Sequence, residues 1–460
     1  MGVITRNARL AYRRALTFYA LTATLGAVLV VLFNTYFLLY ATDVLLIAPA
    51  AIGMLIAFAR IYDGVSDIAI ATWSDRLESR FGRRRPFILA SAAFFALFAG
   101  MWLPPQVLGP TGVVVWVGIM LILFETGTTL RNVPIQSLGI ETGQTPVRRS
   151  WFLTFMFLVA LPSAIVGNLL MQYLIDSGDP RSTGEPVFLW LGLTMGVLTL
   201  VLGWRLKELP VDNRTVERNP WRMVREVLSV GYHRQLIAVQ FAESIAFSTL
   251  VFSIGYMLTY VLDRPDQIAT IAIVYMVVQT FSRLGWMRMI PRWGMKKIWL
   301  VGLYCWLALF TLIPFVLVGG YQVYLGLAVL AGIAGGAALV NYAMLGDVAD
   351  YDARHSGRQR QGIYMTVYNL VTKIGGAVTV FILGWALTLT GFVPNEEQTT
   401  AVLVAIVLCS SAVPFAGVWL GIIMLKRYNF YEREGLSDGK RDFAEETGTG
   451  DVAAERLEPA

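Results

Sequence analysis

The chain has 460 residues, of which 56% are hydrophobic and only 15% are charged. Soluble domains are about one-quarter charged, so an ordinary soluble enzyme or binding module is excluded and a membrane protein is indicated. The net charge of +6 does not mark a nucleic-acid binder, because Lys and Arg alternate with apolar runs instead of forming one basic face.

At the N-terminus, Arg6, Arg9, Arg13 and Arg14 precede a long apolar run without a cleavage site. That predicts an uncleaved first helix starting in the cytoplasm. About twelve runs can each cross a ~30 Å hydrocarbon core: 17–41, 49–73, 87–104, 112–137, 151–176, 187–205, 236–261, 268–289, 297–319, 321–346, 362–391 and 399–425. One set of loops carries Arg76, Arg80, Arg83, Arg84 and Arg85, then Arg148 and Arg149, Lys207 through Arg234, Arg292, Lys296 and Lys297, and Arg354, Arg358 and Arg360. The opposite set is nearly free of cations apart from Arg181 and Arg264. The rich set is predicted to be cytoplasmic, with both termini, in a cytoplasmic (inner) membrane.

Span two carries Asp63 and Asp67, four residues apart and therefore on one helix face, with Arg60 one turn earlier. Carboxylates in a bilayer are costly and mark cavities or ion paths. Two acids against one base predict a cation site at Asp63 and Asp67, with Ser66 adding a hydroxyl. The alternative is a structural Arg60–Asp63 ion pair. Span four carries Glu125, Thr129, Asn132 and Gln136 at spacings that share a face. Thr129 is predicted to complete the cation shell, and Asn132 and Gln136 to meet a polar substrate; interhelical hydrogen bonding is the alternative. Arg131 lies off this stripe.

Span seven contains Glu243, read as a ligand contact or as helix packing. The longest internal polar stretch, 206–235, separates a first six-helix half (1–205) from a second (236–427), followed by a polar cytoplasmic tail (428–460). Arg80-Phe81-Gly82-Arg83-Arg84 after span two and Arg292-Trp293-Gly294-Met295-Lys296-Lys297 after span eight form a weak repeat. Two such halves are the pattern of major facilitator transporters, which bind substrate between them. Span eleven carries Asn369 and Lys373, one turn apart; Lys373 is predicted to reach Asp63 or Asp67, or else to snorkel. Mixed charges in two cytoplasmic strings suggest a gating network. It would comprise Asp75, Arg76 and Arg83 of the first string, Arg60 of span two, and Asp347, Asp350, Arg354 and Arg360 of the second; ordinary positive-inside topology is the alternative, which explains the arginines but not the interleaved acids. Cys305 and Cys409 lie inside apolar runs, and His233 and His355 in polar loops far apart. They indicate no disulfide framework, zinc site or Ser/His/Asp arrangement, and no enzymatic activity is expected.

The run Ala59-Arg60-Ile61-Tyr62-Asp63 through Asp67, with Asp75-Arg76 and Gly82-Arg83-Arg84-Arg85-Pro86-Phe87, resembles the glycoside–pentoside–hexuronide:cation symporters. So do Asn132-Val133-Pro134 with Ser137-Leu138, Asp347…Asp350-Tyr351…Gly357…Arg360…Gly362, Val371-Thr372-Lys373-Ile374-Gly375-Gly376, and Phe392-Val393-Pro394-Asn395 with Gln398. The resemblance implies an all-α, twelve-helix major facilitator fold working by alternating access. It implies a coupling cation (Na⁺, Li⁺ or H⁺) at Asp63, Asp67 and Thr129, and Lys373 near both cation and sugar. No cofactor is expected beyond the coupling ion, Na⁺ or H⁺. The other partners are a small-molecule substrate and the lipid bilayer, with a monomer sufficient.

Galactoside-transporting members of that family hold their sugar with acids in spans one and four and an arginine starting span five. Ala27, Asn132 and Phe157 stand there in this chain, and Gln136 replaces an aromatic residue. A site that reads hydroxyls depends on its charged partners, so another sugar, glycoside or sugar acid is expected. A lysolipid-like cargo is the alternative, since related vertebrate transporters carry lysophospholipids. A non-transporting sensor on the same fold is a further one.

Overall fold

The computed structural model describes residues 24–77, 79, 81–142, 146–205, 220–357 and 360–435. Among them the ordered elements are all helical. In chain order these are α1 (Thr24–Asp43), α2 (Pro49–Arg76), α3 (Arg85–Trp102, interrupted at Leu97), α4 (Pro110–Thr142), α5 (Pro146–Asp176) and α6 (Pro180–Arg205). Then come α7 (Pro220–Ser229), α8 (Gly231–Tyr256), α9 (Ile268–Trp293), α10 (Met295–Leu312), α11 (Val316–Gly336), α12 (Leu339–Ser356), α13 (Gln361–Thr390), α14 (Thr400–Arg427) and α15 (Phe430–Glu434). Ten stretches among the described residues are long and apolar enough to cross a bilayer, so the chain is a multi-pass membrane protein. The stretch Met295–Ser356 is 62 residues long, well beyond the ~20 that one crossing needs. Helix α2 is not among the ten; its acids and arginines dilute its apolar run.

The helices outrun the apolar runs that announce them. Once a helix is nucleated, polar residues at its end extend the backbone ladder at little cost. Helix α4 therefore reaches Thr142, and α2 reaches Arg76. For the same reason the polar string from Gly346 to His355, expected as a loop, is the end of α12, which stops where Gly357 adopts φ 68°. Within the expected central loop, Pro220–Ser229 is helical; residues 206–219 lie outside the described ones, as do residues 1–23 with all four N-terminal arginines and the tail beyond 435.

The chain groups into two compact units. One is drawn from Met1–Pro220, Val251–Ala269 and Gly376–Ala405, the other from Trp221–Leu250, Thr270–Gly375 and Ile406–Ala460. In the first unit α3 packs against α6 and α4, and α2 packs along α4. Small residues permit the close approaches: a Cβ on Gly192 of α6 would lie 2.8 Å from the Phe95 carbonyl oxygen, and one on Gly127 of α4 2.7 Å from Phe94 Cβ. Trp102 anchors the core, stacked on Phe188 at 4.4 Å between ring centroids and edge-on to Phe37 at 4.9 Å.

At the end of this unit that carries Asp43, the later segments are fastened to the first helices. Thr42 Oγ1 lies 3.0 Å from Tyr256 Oη, Asn395 Nδ2 donates to the Asp43 carbonyl at 2.8 Å, and Ala50 N donates to Thr388 Oγ1 at 2.8 Å. Gln172 Oε1 accepts from Ala269 N at 3.1 Å. Helices α2 and α13 touch backbone to backbone: a Cβ on Gly53 would sit 2.9 Å from the Val380 carbonyl oxygen, and one on Gly384 would collide with that of Pro49.

Candidate functional site

The site is built where α2 runs along α4. Asp63 is buried, at 6% exposure, although it stands in the middle of a 28-residue helix. Thr129 Oγ1 of α4 donates to Asp63 Oδ1 at 2.8 Å. Ser66 Oγ lies 3.1 Å from Thr129 Oγ1 and donates to the Asp63 carbonyl at 3.0 Å. One turn earlier, Tyr62 Oη and Thr126 Oγ1 meet at 2.9 Å. The expected face of Asp63, Ser66 and Thr129 is therefore assembled. Asp67 follows one turn later on α2, half-buried. Every donor atom in this set is oxygen, two carboxylates and two hydroxyls, which suits a hard monovalent cation. Among the described residues no three His, Cys, Asp or Glu side chains gather as a metal-binding group, so the set lacks the third acid that divalent sites commonly use.

Arg60 does not pair with Asp63. Its guanidinium donates to Asn34 Oδ1 on α1 and lies over the Phe33 ring, 5.0 Å from the centroid. Phe33 itself packs on Phe124 of α4 at 5.5 Å. Sequence spacing finds the arginine's helix face but misses this seat, because Asn34 and Phe33 belong to another helix. The α1 segment Leu32–Tyr36 is a π-helical turn, and such turns cluster at functional sites.

Along α4 the polar stripe grades from closed to open. Glu125 and Thr129 are buried, Asn132 is half-buried and Gln136 exposed. Glu125 Oε2 accepts from Thr128 Oγ1 at 3.2 Å. Arg131 is buried, and its Nη1 donates to Asn132 Oδ1 at 2.7 Å. The arginine that the sequence leaves unplaced thus orients the asparagine expected to meet substrate.

In the second unit Asn369 and Lys373 lie half-buried on α13, and Tyr342 Oη donates to Asn369 Oδ1 at 3.3 Å. Glu243 on α8 is buried, its Oε2 accepting from Trp299 Nε1 at 2.9 Å and from Asn341 Nδ2 at 2.7 Å.

Of the expected gating residues, Arg360 is 9% exposed and central. Its Nη1 donates to Glu226 Oε2 at 2.7 Å and its Nη2 lies 3.1 Å from Asp352 Oδ2. Asp347 accepts from Tyr431 Oη at 2.7 Å. Arg354 and Asp350 are exposed, and Arg83 is half-buried. The side chains of Asp75, Arg76 and Phe157 fall outside the described residues. Glu226, Asp352 and Tyr431 escape a reading by motif because each sits on a different element from its partner or carries no distinctive spacing. Arg85, named from sequence only as part of a basic run, donates to the Gly203 and Trp204 carbonyls at 2.9 Å each, capping the C-terminus of α6.

The model of the family of MFS/sugar transport proteins matches residues 18–432. The chain belongs to this family. It is a family of membrane transporters, not of enzymes. An isoprimeverose transporter of Lactiplantibacillus pentosus is 24% identical, covering 91% of this chain and 90% of its own length. A sodium-dependent lysophosphatidylcholine symporter of Gallus gallus is 23% identical, covering 89% and 86%. The crystal structure of the nucleoside transporter NupG superposes with a TM-score of 0.64 at 13% identity, covering 90% of this chain and 99% of NupG; at that identity the likeness speaks for the major facilitator fold alone.

Proposed function

We propose that this chain is a cation-coupled symporter of a sugar, glycoside or sugar acid. In this reading Asp63 and Asp67 bind the cation, Thr129 and Ser66 complete its oxygen shell, and Na⁺ or H⁺ is the coupling ion. The observation that carries it is the buried Asp63 carboxylate in mid-helix, with Thr129 Oγ1 donating to it at 2.8 Å and Ser66 Oγ beside that hydroxyl. A carboxylate kept inside a membrane helix marks a cavity or an ion path. The sugar class rests on the family match and on the relative named for isoprimeverose.

Asn132, oriented by Arg131, and the exposed Gln136 would face the substrate from α4, and Asn369 and Lys373 from α13. Glu243 would act on the substrate side from behind Asn341. Lys373 would take part in cargo binding from the second unit. The fold would comprise twelve crossings that work as a monomer by alternating access, in a cytoplasmic membrane with both termini cytoplasmic. The Arg-rich loops support that orientation. Arg360 with Glu226 and Asp352, and Asp347 with Tyr431, would hold one conformation of the cytoplasmic side.

Uptake into proteoliposomes tests the reading. A sugar or glycoside is expected to accumulate on an inward Na⁺ or H⁺ gradient at fixed membrane potential, and Asp63→Asn and Asp67→Asn to abolish that accumulation. Gradient-driven uptake persisting in both variants overturns the site. A second cargo class is favoured by the relative named for lysophosphatidylcholine. A lysolipid that accumulates where the sugar panel does not would replace the sugar and leave the cation site standing.

A further inference from the structure

A buried acid lies in the second unit, on elements other than α2 and α4. Glu243 of α8 is 6% exposed. Its partners are Trp299 Nε1 and Asn341 Nδ2, on α10 and α12. Both donors are neutral. Among the described residues no Lys, Arg or His forms an ion pair with it. The other ionisable groups packed around it are Tyr275 on α9, Tyr342 on α12 and Tyr368 on α13. Arg283 on α9 acts on Tyr275 and Tyr342 and makes no ion pair with Glu243.

Two features bear on its protonation. An ionised carboxylate without a counter-charge in a bilayer core is costly, and such a group neutralises instead. The second feature is Asn341. Its Nδ2 donates to Glu243 at 2.7 Å, yet its Oδ1 is buried without a hydrogen-bond partner. A carboxylate only accepts, whereas a carboxylic acid brings one O–H donor. A protonated Glu243 carries an O–H donor beside the amide whose Oδ1 lacks one. An ionised one offers no donor and leaves an unmatched charge. The Trp299 N–H does not decide against this, because it donates equally to the carbonyl of a neutral acid.

We propose that Glu243 is a proton-binding site of the second unit, occupied at neutral pH and separate from Asp63 and Asp67. The proton comes from water and returns to it; one O–H bond forms on Glu243 and breaks again. Its occupancy is wired to α13. Asn341 Nδ2 also reaches Gln240 Oε1 at 3.1 Å, Gln240 accepts from Tyr368 Oη, and Gln240 Nε2 donates to Thr372 Oγ1 at 3.0 Å. That chain ends on Tyr368 and Thr372 of α13, each one residue before Asn369 and Lys373, so loss of the proton changes the bonds that hold this helix.

Infrared spectroscopy of the purified, folded protein in lipid tests this. The wild type at neutral pH is expected to show a carboxylic-acid C=O band that shifts in D₂O, is missing in Glu243→Gln, and persists in Asp63→Asn and Asp67→Asn. The absence of any Glu243-dependent acid band in folded protein overturns the proposal. Should Glu243→Gln not fold, Asn341→Ala provides the second handle. The band is then expected at higher frequency, one hydrogen bond having been lost, and an unmoved spectrum overturns the proposal. The measurement needs neither substrate nor gradient, so its failure is distinct from a failure of the symporter reading.

Discussion

Thr129 carries a single proton on a single oxygen, and that proton is committed to Asp63 at 2.8 Å. Thr129→Val keeps the shape and removes the oxygen. A hydrogen bond to a charged group contributes about 1.5–3 kcal/mol, so the apparent affinity for the coupling cation is expected to fall at least about tenfold. The check is the cation concentration that half-stimulates uptake; an unchanged value would remove Thr129 from the site. At Asp179, outside the spans, the carboxylate accepts from Arg181 N at 3.1 Å and Ser182 N at 3.2 Å, capping the start of α6. Bonds from the Ser182 hydroxyl and N–H hold its carboxyl below the ordinary carboxylate range. With the folded pKa depressed, the stabilisation is present above the unfolded pKa and is lost as pH falls through the folded one. Asp179→Ala is thus expected to lower Tm at neutral pH and to leave it unchanged in strong acid. A Tm difference that persists there would show the effect to be packing. The pairing of Asp63 with Thr129 is readable in the sequence, because each lies on a polar face at helical spacing. The Asn34 seat of Arg60 is not, since nothing in the spacing of α2 points to a partner 26 positions earlier.

Among elements, the spans are readable because twenty apolar residues have one stable place to go. Their ends are less so: the ladder of α12 continues through Asp347, Asp350 and Asp352 until Gly357 turns it, and charge alone suggests a loop there. Helix α7 is hidden for a related reason, being short and polar, yet it delivers Glu226 to Arg360 at 2.7 Å. Arg360 is expected to matter more than the exposed Arg354. Its removal leaves two carboxylates, one of them 11% exposed, without their shared cation. Arg360→Ala is expected to cost about 2 kcal/mol, read as a Tm drop in detergent that Arg354→Ala does not reproduce. Contacts between elements also hinge on glycine. A side chain at Gly384 meets the Pro49 backbone, and overpacking of this kind costs about 1–3 kcal/mol. Gly384→Val is therefore expected to force α2 and α13 apart and to cut uptake severalfold even where protein accumulates normally in the membrane.

For the whole molecule, alternating access requires that any contact sealing one side be broken in every cycle. The bonds of Thr42 to Tyr256, Asp43 to Asn395 and Ala50 to Thr388 join early and late parts of the chain at the end carrying Asp43. In the orientation proposed from the Arg-rich loops this would be the non-cytoplasmic end. If the protein cycles, a covalent tie across one of these contacts must stop it without altering Asp63, Asp67 or Glu243. Ala50→Cys with Thr388→Cys, in a background where Cys305 and Cys409 are replaced by serine, supplies such a tie. The native pair meets at 2.8 Å between Ala50 N and Thr388 Oγ1, close enough for cysteines there to be oxidised together. Oxidised protein is expected to lose uptake and to regain it on reduction. The rate of cross-linking is also expected to change when cation and substrate are added, because ligands shift the population between states only through differential affinity. Full uptake by quantitatively cross-linked protein would mean that this end does not open, and transport would then need a route other than rocking of the helices around a central site.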